Sequence, residues 1–166
     1  MPRSCATCAC GKVTVELDGA HIYCAACHCD DCQAAARELD ALPAPESTTD
    51  ACGGTQYVLH RKDRYTVTAG GDLLEPFPLR RDSPTRRMVA SCCNSPLFLG
   101  FDNAQHWISI YRTRIQGTPP ALQSRIAMRF SPDTRDPPDD VPAYRTFPIA
   151  LVGNLLLSRV RMLVGR

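Results

Sequence analysis

Apolar and polar residues alternate through Lys12-Val13-Thr14-Val15-Glu16-Leu17, the period of a half-buried strand, and Asp18-Gly19 supplies a turn after it. Short runs of the same kind follow at Gln56-Tyr57-Val58-Leu59-His60, Arg64-Tyr65-Thr66-Val67-Thr68, Leu73 to Leu79, Arg87-Met88-Val89-Ala90 and Leu97-Phe98-Leu99-Gly100-Phe101. Each is set off by Gly, Pro or Asp, so each is predicted to be a strand. Trp107-Ile108-Ser109-Ile110-Tyr111 fits a further strand or a short helix. Gln33 to Leu42, with three consecutive alanines, is rich in helix formers, and Pro43 and Pro45 end it. The pattern predicts a sheet region with one short helix ahead of it.

The last third changes character. Between Pro119 and Pro148 lie seven of the fourteen prolines, with Asp133, Asp136, Asp139 and Asp140 among them, a composition that favours an irregular, extended arm. Ile149 to Val164 then resumes as an apolar stretch, interrupted by Gly153 and Asn154 and charged at Arg159 and Arg161. It is too short and too interrupted to span a bilayer, which needs ~20 apolar residues. A packed or oligomer-forming helix is expected there, with a membrane-surface helix as the other reading. The expected organisation is a zinc-binding domain over residues 1–118, an arm over 119–148 and a C-terminal helix over 149–166, packed on the domain or on a partner.

Charge adds little: 19 basic and 17 acidic residues are interleaved, which leaves no broad basic face for a nucleic-acid backbone. The ten cysteines add more. No apolar signal-peptide core stands behind the positive charge of Met1-Pro2-Arg3-Ser4-Cys5, so a reducing, cytoplasmic setting is expected. There, closely spaced cysteines are metal ligands or reactive thiols more often than disulfides.

Seven cysteines have ligand spacing. Cys8 and Cys10 precede Gly11, and Cys93 stands in Cys93-Asn94-Ser95-Pro96-Leu97, a turn between two predicted strands, so a four-thiolate site joining two hairpins would fit, with its fourth ligand still to be found. Cys27, Cys29 and Cys32 sit on one short segment at a predicted helix N-terminus. They can cap one face of a zinc ion and leave the fourth position to water or a substrate thiolate, or they can belong to a closed, inert site. The helix terminus favours thiolate here, whereas Asp30 and Asp31 oppose it. His28, between two ligands, is expected to turn its ring away, behind the metal or at the surface. Cys5, Cys24 and Cys52 have no partner spacing and read as ordinary thiols. Arg80, Arg81, Arg86 and Arg87 bracket the strand leading to Cys92, either as a solvated edge or as a cluster for the carboxylates of an acidic thiol such as glutathione.

Together these residues resemble the family of glutathione-dependent formaldehyde-activating enzymes and centromere protein V, over about Cys8 to Phe101. The resemblance implies an Mss4-like fold of antiparallel sheets with few helices, so the fold expected is mainly β with zinc-binding cysteine clusters, the short helix after Cys32 and the C-terminal helix being those read from the sequence pattern. In that family an early C-x-C-G, here Cys8-Ala9-Cys10-Gly11, joins a later C-x-x-C-G-x-P-L around a structural zinc. A central C-H-C-x-x-C, here Cys27 to Cys32, is associated with a second zinc that handles a glutathione adduct. This chain departs from the later motif: Ala90 stands at its first Cys, Asn94 at its Gly, and Cys92 is extra. If Met88 to Cys93 is extended, Cys92 and Cys93 face opposite ways. Cys8, Cys10 and Cys93 would then share one metal, and Cys27, Cys29, Cys32 and Cys92 the other.

The runs Cys29-Asp30-Asp31-Cys32-Gln33-Ala34, Gly53-Gly54-Thr55-Gln56 and Cys92-Cys93 are similar to a bacterial side branch known as a domain of unknown function. What the resemblance implies is one or two zinc ions and a carbon–sulfur lyase acting on adducts of glutathione, or another small thiol, with aldehydes. Cys27, Cys29 and Cys32 would hold the catalytic zinc and Arg80, Arg86 and Arg87 the substrate; no general base stands out, His28, Asp30 and Asp31 being nearest in sequence. The alternative is a non-enzymatic zinc module that mediates protein interaction or homo-oligomerisation through its C-terminal helix.

Overall fold

The computed structural model describes residues 3–43, 47–77, 79–80, 82–131 and 137–165. Pro45, Arg81, Asp133, Asp136 and part of the run from Leu73 to Leu79 lie outside them. Two sheets carry the described chain. The smaller joins β1 (Arg3–Thr7), β2 (Thr14–Asp18) and β5 (Tyr65–Ala69), all antiparallel. The larger contains β3 (Tyr23–Cys27), β4 (Thr55–Arg61), β6 (Leu74–Phe77), β7 (Thr85–Ala90), β8 (Ser95–Phe101), β9 (Trp107–Tyr111) and β10 (Ser124–Ile126). Its order is β10-β3-β4-β9-β8-β7-β6, antiparallel except where β10 runs parallel to β3. Two helices, α1 (Asp30–Asp40) and α2 (Ile149–Leu163), complete the mainly β architecture expected from the sequence.

The seven-stranded sheet is buried on both faces, and this decides where each cysteine cluster sits. Successive strand residues point to opposite faces. Val58, Phe98, Ile108 and Ile110 pack toward Val15 and Leu17 of the small sheet and the neighbouring Val13. Tyr57, Leu59, Leu99 and Tyr111 pack the other way, toward Leu39 of α1 and Leu151 of α2. Two-sided burial also explains why β3 escapes a search for alternation: all five of its residues are buried. Trp107 to Tyr111 is a strand, because it is paired on both sides, with β4 and with β8. The predicted strand from Leu73 begins one residue later, since Gly71–Leu73 forms a 3-10 turn entered through Gly70 at φ 64°. A Cβ at Gly70 would overlap the Lys12 carbonyl oxygen, so the position needs glycine.

Within residues 119–148, expected to be irregular, Ser124–Ile126 forms β10 with all three residues buried, and Met128–Phe130 forms a 3-10 turn. The guanidinium of Arg125 in β10 pairs with Asp140 at 2.6 Å, which holds the following segment against the sheet edge. The C-terminal helix forms as expected. It buries Leu151 and Ser158 but leaves Ile149 91%, Leu156 64% and Leu163 73% exposed. Among the described residues no helix is long and apolar enough to cross a membrane.

Candidate metal centres

Cys8 follows the last residue of β1, Cys10 lies in the turn toward β2, and Cys92 and Cys93 lie between β7 and β8. Their four sulfur atoms come together in one group. The Sγ separations are 3.5 Å for Cys8–Cys10, 3.9 Å for Cys8–Cys92, 3.3 Å for Cys10–Cys92 and 3.9 Å for Cys92–Cys93. A tetrahedron with Zn–S bonds of ~2.3 Å has edges of about 3.8 Å. The donor set therefore fits a structural zinc of the closed, four-thiolate type.

This arrangement corrects the expected division of Cys92 and Cys93 between two metals. β7 stops at Ala90, the Cys93 N–H donates back to the Ala90 carbonyl at 3.2 Å, and Asn94 adopts φ 54°. The segment turns instead of extending, so both thiols face the same cluster. Asn94 fills the place of the glycine in the related motif because asparagine tolerates the left-handed region. Donors surround the sulfurs: the Val13 N–H reaches Cys8 Sγ at 3.3 Å, and the Ser95 hydroxyl lies 3.1 Å from Cys93 Sγ. Burial opposes ionisation of Cys93, but the Ser95 hydroxyl and backbone N–H groups outweigh it and hold the thiol at about 6. Burial and the thiols of Cys10 and Cys8 push Cys92 up to about 12.

The second cluster is on the opposite face of the large sheet. Cys27 ends β3, paired with Thr55 of β4 and with Ile126 of β10; Cys29 is the N-cap of α1, and Cys32 is in its first turn. The His28 N–H donates to the Ile126 carbonyl, and the Gln33 side-chain amide donates to the carbonyls of His28 and Phe130. These bonds fix the loop so that all three sulfurs fall within 4.8 Å of one another. Hydrogen bonds donated by Cys27 and Cys32 hold Cys29 far below the ordinary thiol range, and the same bonds push the two donors up. The metal-free cluster is thus one thiolate shared by two thiols. Among the described residues no fourth metal-ligating side chain joins this group.

Instead the three cysteines border a cavity of about 440 Å³, walled mainly by Leu59, Leu99, Phe101, Trp107, Ile126, Leu151 and Leu155. The donor set suits zinc with one open position, the arrangement that catalytic zinc sites keep. The cavity size falls within the ~300–1,000 Å³ typical of small-molecule sites.

A family model described as a family of unknown function, DUF6151, matches residues 2–156. This chain belongs to that family. A search among curated proteins finds no match. Among solved structures, the chain is similar to a structural-genomics protein from Rhodobacter sphaeroides, with a TM-score of 0.51 and 15% identity, covering 84% of this chain and 98% of that one. At that identity the likeness is one of fold.

In this DUF6151 chain the arginines predicted to form a cluster separate. Arg80 pairs with Asp31 at 2.6 Å and Arg86 with Asp102 at 2.9 Å, and neither borders the cavity. Arg81 lies outside the described residues. Of the described arginines Arg87 alone lines the cavity, 1% exposed, with Nη2 donating to the Asp31 carbonyl at 3.1 Å, the Tyr111 hydroxyl interacting with its guanidinium, and no well-aligned hydrogen bond from Nε or Nη1 to a described residue. Beside it stand Tyr57, a wall residue, and Tyr111, rings 5.0 Å apart. Burial pushes both phenols up, Tyr111 to about 12, so both remain O–H donors at neutral pH. Alternation marked these tyrosines only as strand residues; nothing local in the sequence signals their place in a site.

His28 turns away from the sulfurs but not to the surface. It is fully buried, and neither ring nitrogen has a hydrogen-bond partner among the described residues. Burial lowers its pKa, which keeps the ring neutral. The ring fits because residue 54 is glycine: a Cβ there would lie 2.5 Å from His28 Nε2 and 2.9 Å from Cε1. Gly54→Ala should therefore cost about 1–3 kcal/mol through overpacking. In urea unfolding, Gly54→Ala combined with His28→Ala should lose less than the sum of the two single changes. Strict additivity would show that the ring and Gly54 are not in conflict.

Proposed function

We propose that this DUF6151 protein holds one structural zinc at Cys8, Cys10, Cys92 and Cys93 and a second at Cys27, Cys29 and Cys32, where a small thiol and its aldehyde adducts bind and interconvert. That is the work of a carbon–sulfur lyase. The observation that carries the reading is the difference between the clusters: four sulfurs close one, while three border a cavity at the other. Bound at the three cysteines, zinc would supply Lewis acidity and favour the thiolate form of a bound thiol. The resemblance to glutathione-dependent formaldehyde-activating enzymes supports the substrate class.

The reaction is reversible and needs no oxidant. In one direction the thiol sulfur adds to the aldehyde carbon while the thiol proton passes to the carbonyl oxygen; in the other the C–S bond breaks and the proton returns. The chain's own groups serve this chemistry by exclusion and charge. Leu59, Leu99 and Phe101 keep water from the adduct, and Arg87 supplies positive potential where sulfur carries negative charge. All ten thiols are free, which suits a reducing compartment such as the cytoplasm.

Metal analysis with native mass spectrometry tests the proposal. The chain as isolated under reducing conditions should carry two zinc ions, and Cys29→Ser should carry one with an unchanged circular dichroism spectrum. Added thiol should be retained by the two-zinc form only. A single zinc in the unaltered chain would overturn the reading. The exposed apolar residues of α2 favour a second reading, a zinc module that assembles through this helix. That reading predicts no thiol retention and loss of assembly on removal of residues 149–166.

A further inference from the structure

Cavity chemistry narrows the ligand further than the proposed reaction does. The walls are apolar, and among the described residues the charged members of the cavity's lining are Arg87 and Asp31. The Asp31 carboxylate is occupied by Arg80, whereas Arg87 meets Asp31 only through the backbone carbonyl. A guanidinium 1% exposed, met by the Asp31 carbonyl and the neutral Tyr111 hydroxyl and by no carboxylate among the described residues, calls for an anion. Asp31 lies between Cys29 and Cys32, so the anion would sit beside the sulfur cluster and not at the far side of the cavity.

We infer that the cavity takes a mercaptocarboxylate with an apolar tail, its thiol at Cys27, Cys29 and Cys32, its carboxylate on a neighbouring carbon against Arg87, and its tail along Leu59, Leu99 and Trp107. The inference rests on the open site of the preceding reading and adds to it the class of thiol. Glutathione, with two carboxylates and an ammonium group, would leave charges unpaired against these walls. An alkyl tail loses only water there.

The test is calorimetric titration of the zinc-loaded full chain with 2-mercaptopropanoate, 2-mercaptohexanoate and 2-mercaptodecanoate, together with the methyl ester of the last, decanoate and glutathione. Affinity should rise about fourfold for each added methylene until the cavity is filled. The ester should bind at least tenfold more weakly than its acid, and decanoate and glutathione more weakly than 2-mercaptodecanoate. Arg87→Met should erase the difference between acid and ester while keeping the dependence on tail length. If that variant does not fold, the comparison of acid and ester on the unaltered chain still decides the matter.

Affinity independent of tail length, or equal for acid and ester, would overturn the inference; in the second case Arg87 would be a counter-ion to the cysteine cluster alone. Zinc content separates the two levels. Either of those results with two zinc ions bound sinks the ligand class only, whereas a Cys29→Ser chain that keeps both zinc ions sinks the open site as well.

Discussion

Cys8→Ser should abolish cooperative folding at 37 °C. Cys8 is 3% exposed within the core between the two sheets, and its cluster ties the β1–β2 turn of the small sheet to the β7–β8 turn of the large one. In small zinc domains the metal contributes of order 10 kcal/mol to folding at neutral pH. A domain of ordinary stability has only about 5–15 kcal/mol in total, so losing the site leaves little. Replacing Cys10 also removes one sulfur but, at an exposed position, adds no buried polar group, so it should lower the melting temperature without abolishing the transition. Cys5→Ser, outside both clusters, should change it little. Thermal scans by far-ultraviolet circular dichroism, with and without added zinc, check all three. A Cys8→Ser chain that melts like the parent would show that the apolar interface alone holds the sheets together.

What the sequence made legible follows from how local each feature is. β2 and β4 could be read because alternation or β-branched and aromatic content marks them within a few residues. β3 could not, since a central strand buried on both faces has no period, and the three residues of β10 are defined by their parallel partner and not by their own pattern. Cluster membership was legible for the same reason that zinc ligands come in pairs: short spacings place sulfurs together regardless of fold. The allocation of Cys92 was not. It depends on whether the chain turns or extends after Ala90, which the backbone at Asn94 decides. The burial of His28 depends on Gly54, distant in sequence, and the cavity draws its walls from β4, β8, β9, β10 and α2. With β3, α1 and β7 supplying Cys27, Cys32 and Arg87, the lining comes from eight elements, and only its cysteines show in the local sequence.

Zinc affinity at the three-cysteine site should climb steeply with pH, about hundredfold per unit between roughly pH 6.5 and 8. The step follows from proton counting. Near neutrality the metal-free cluster holds Cys29 as thiolate through hydrogen bonds from Cys27 and Cys32, which lower its pKa. The same bonds push Cys27 and Cys32 above the usual thiol range, so both keep their protons. Zinc binds thiolates, so loading displaces two protons and the logarithm of the apparent affinity rises by two per pH unit. The sign is fixed: metal is held at high pH and released as pH falls. Chelator competition followed by native mass spectrometry, on the parent and on Cys29→Ser, isolates this site from the four-sulfur one. A slope near one would mean that one of the two thiols is already ionised without metal. An absence of slope would remove the shared-thiolate description of the cluster, and with it the reason that Cys29 is the ligand already charged when zinc arrives.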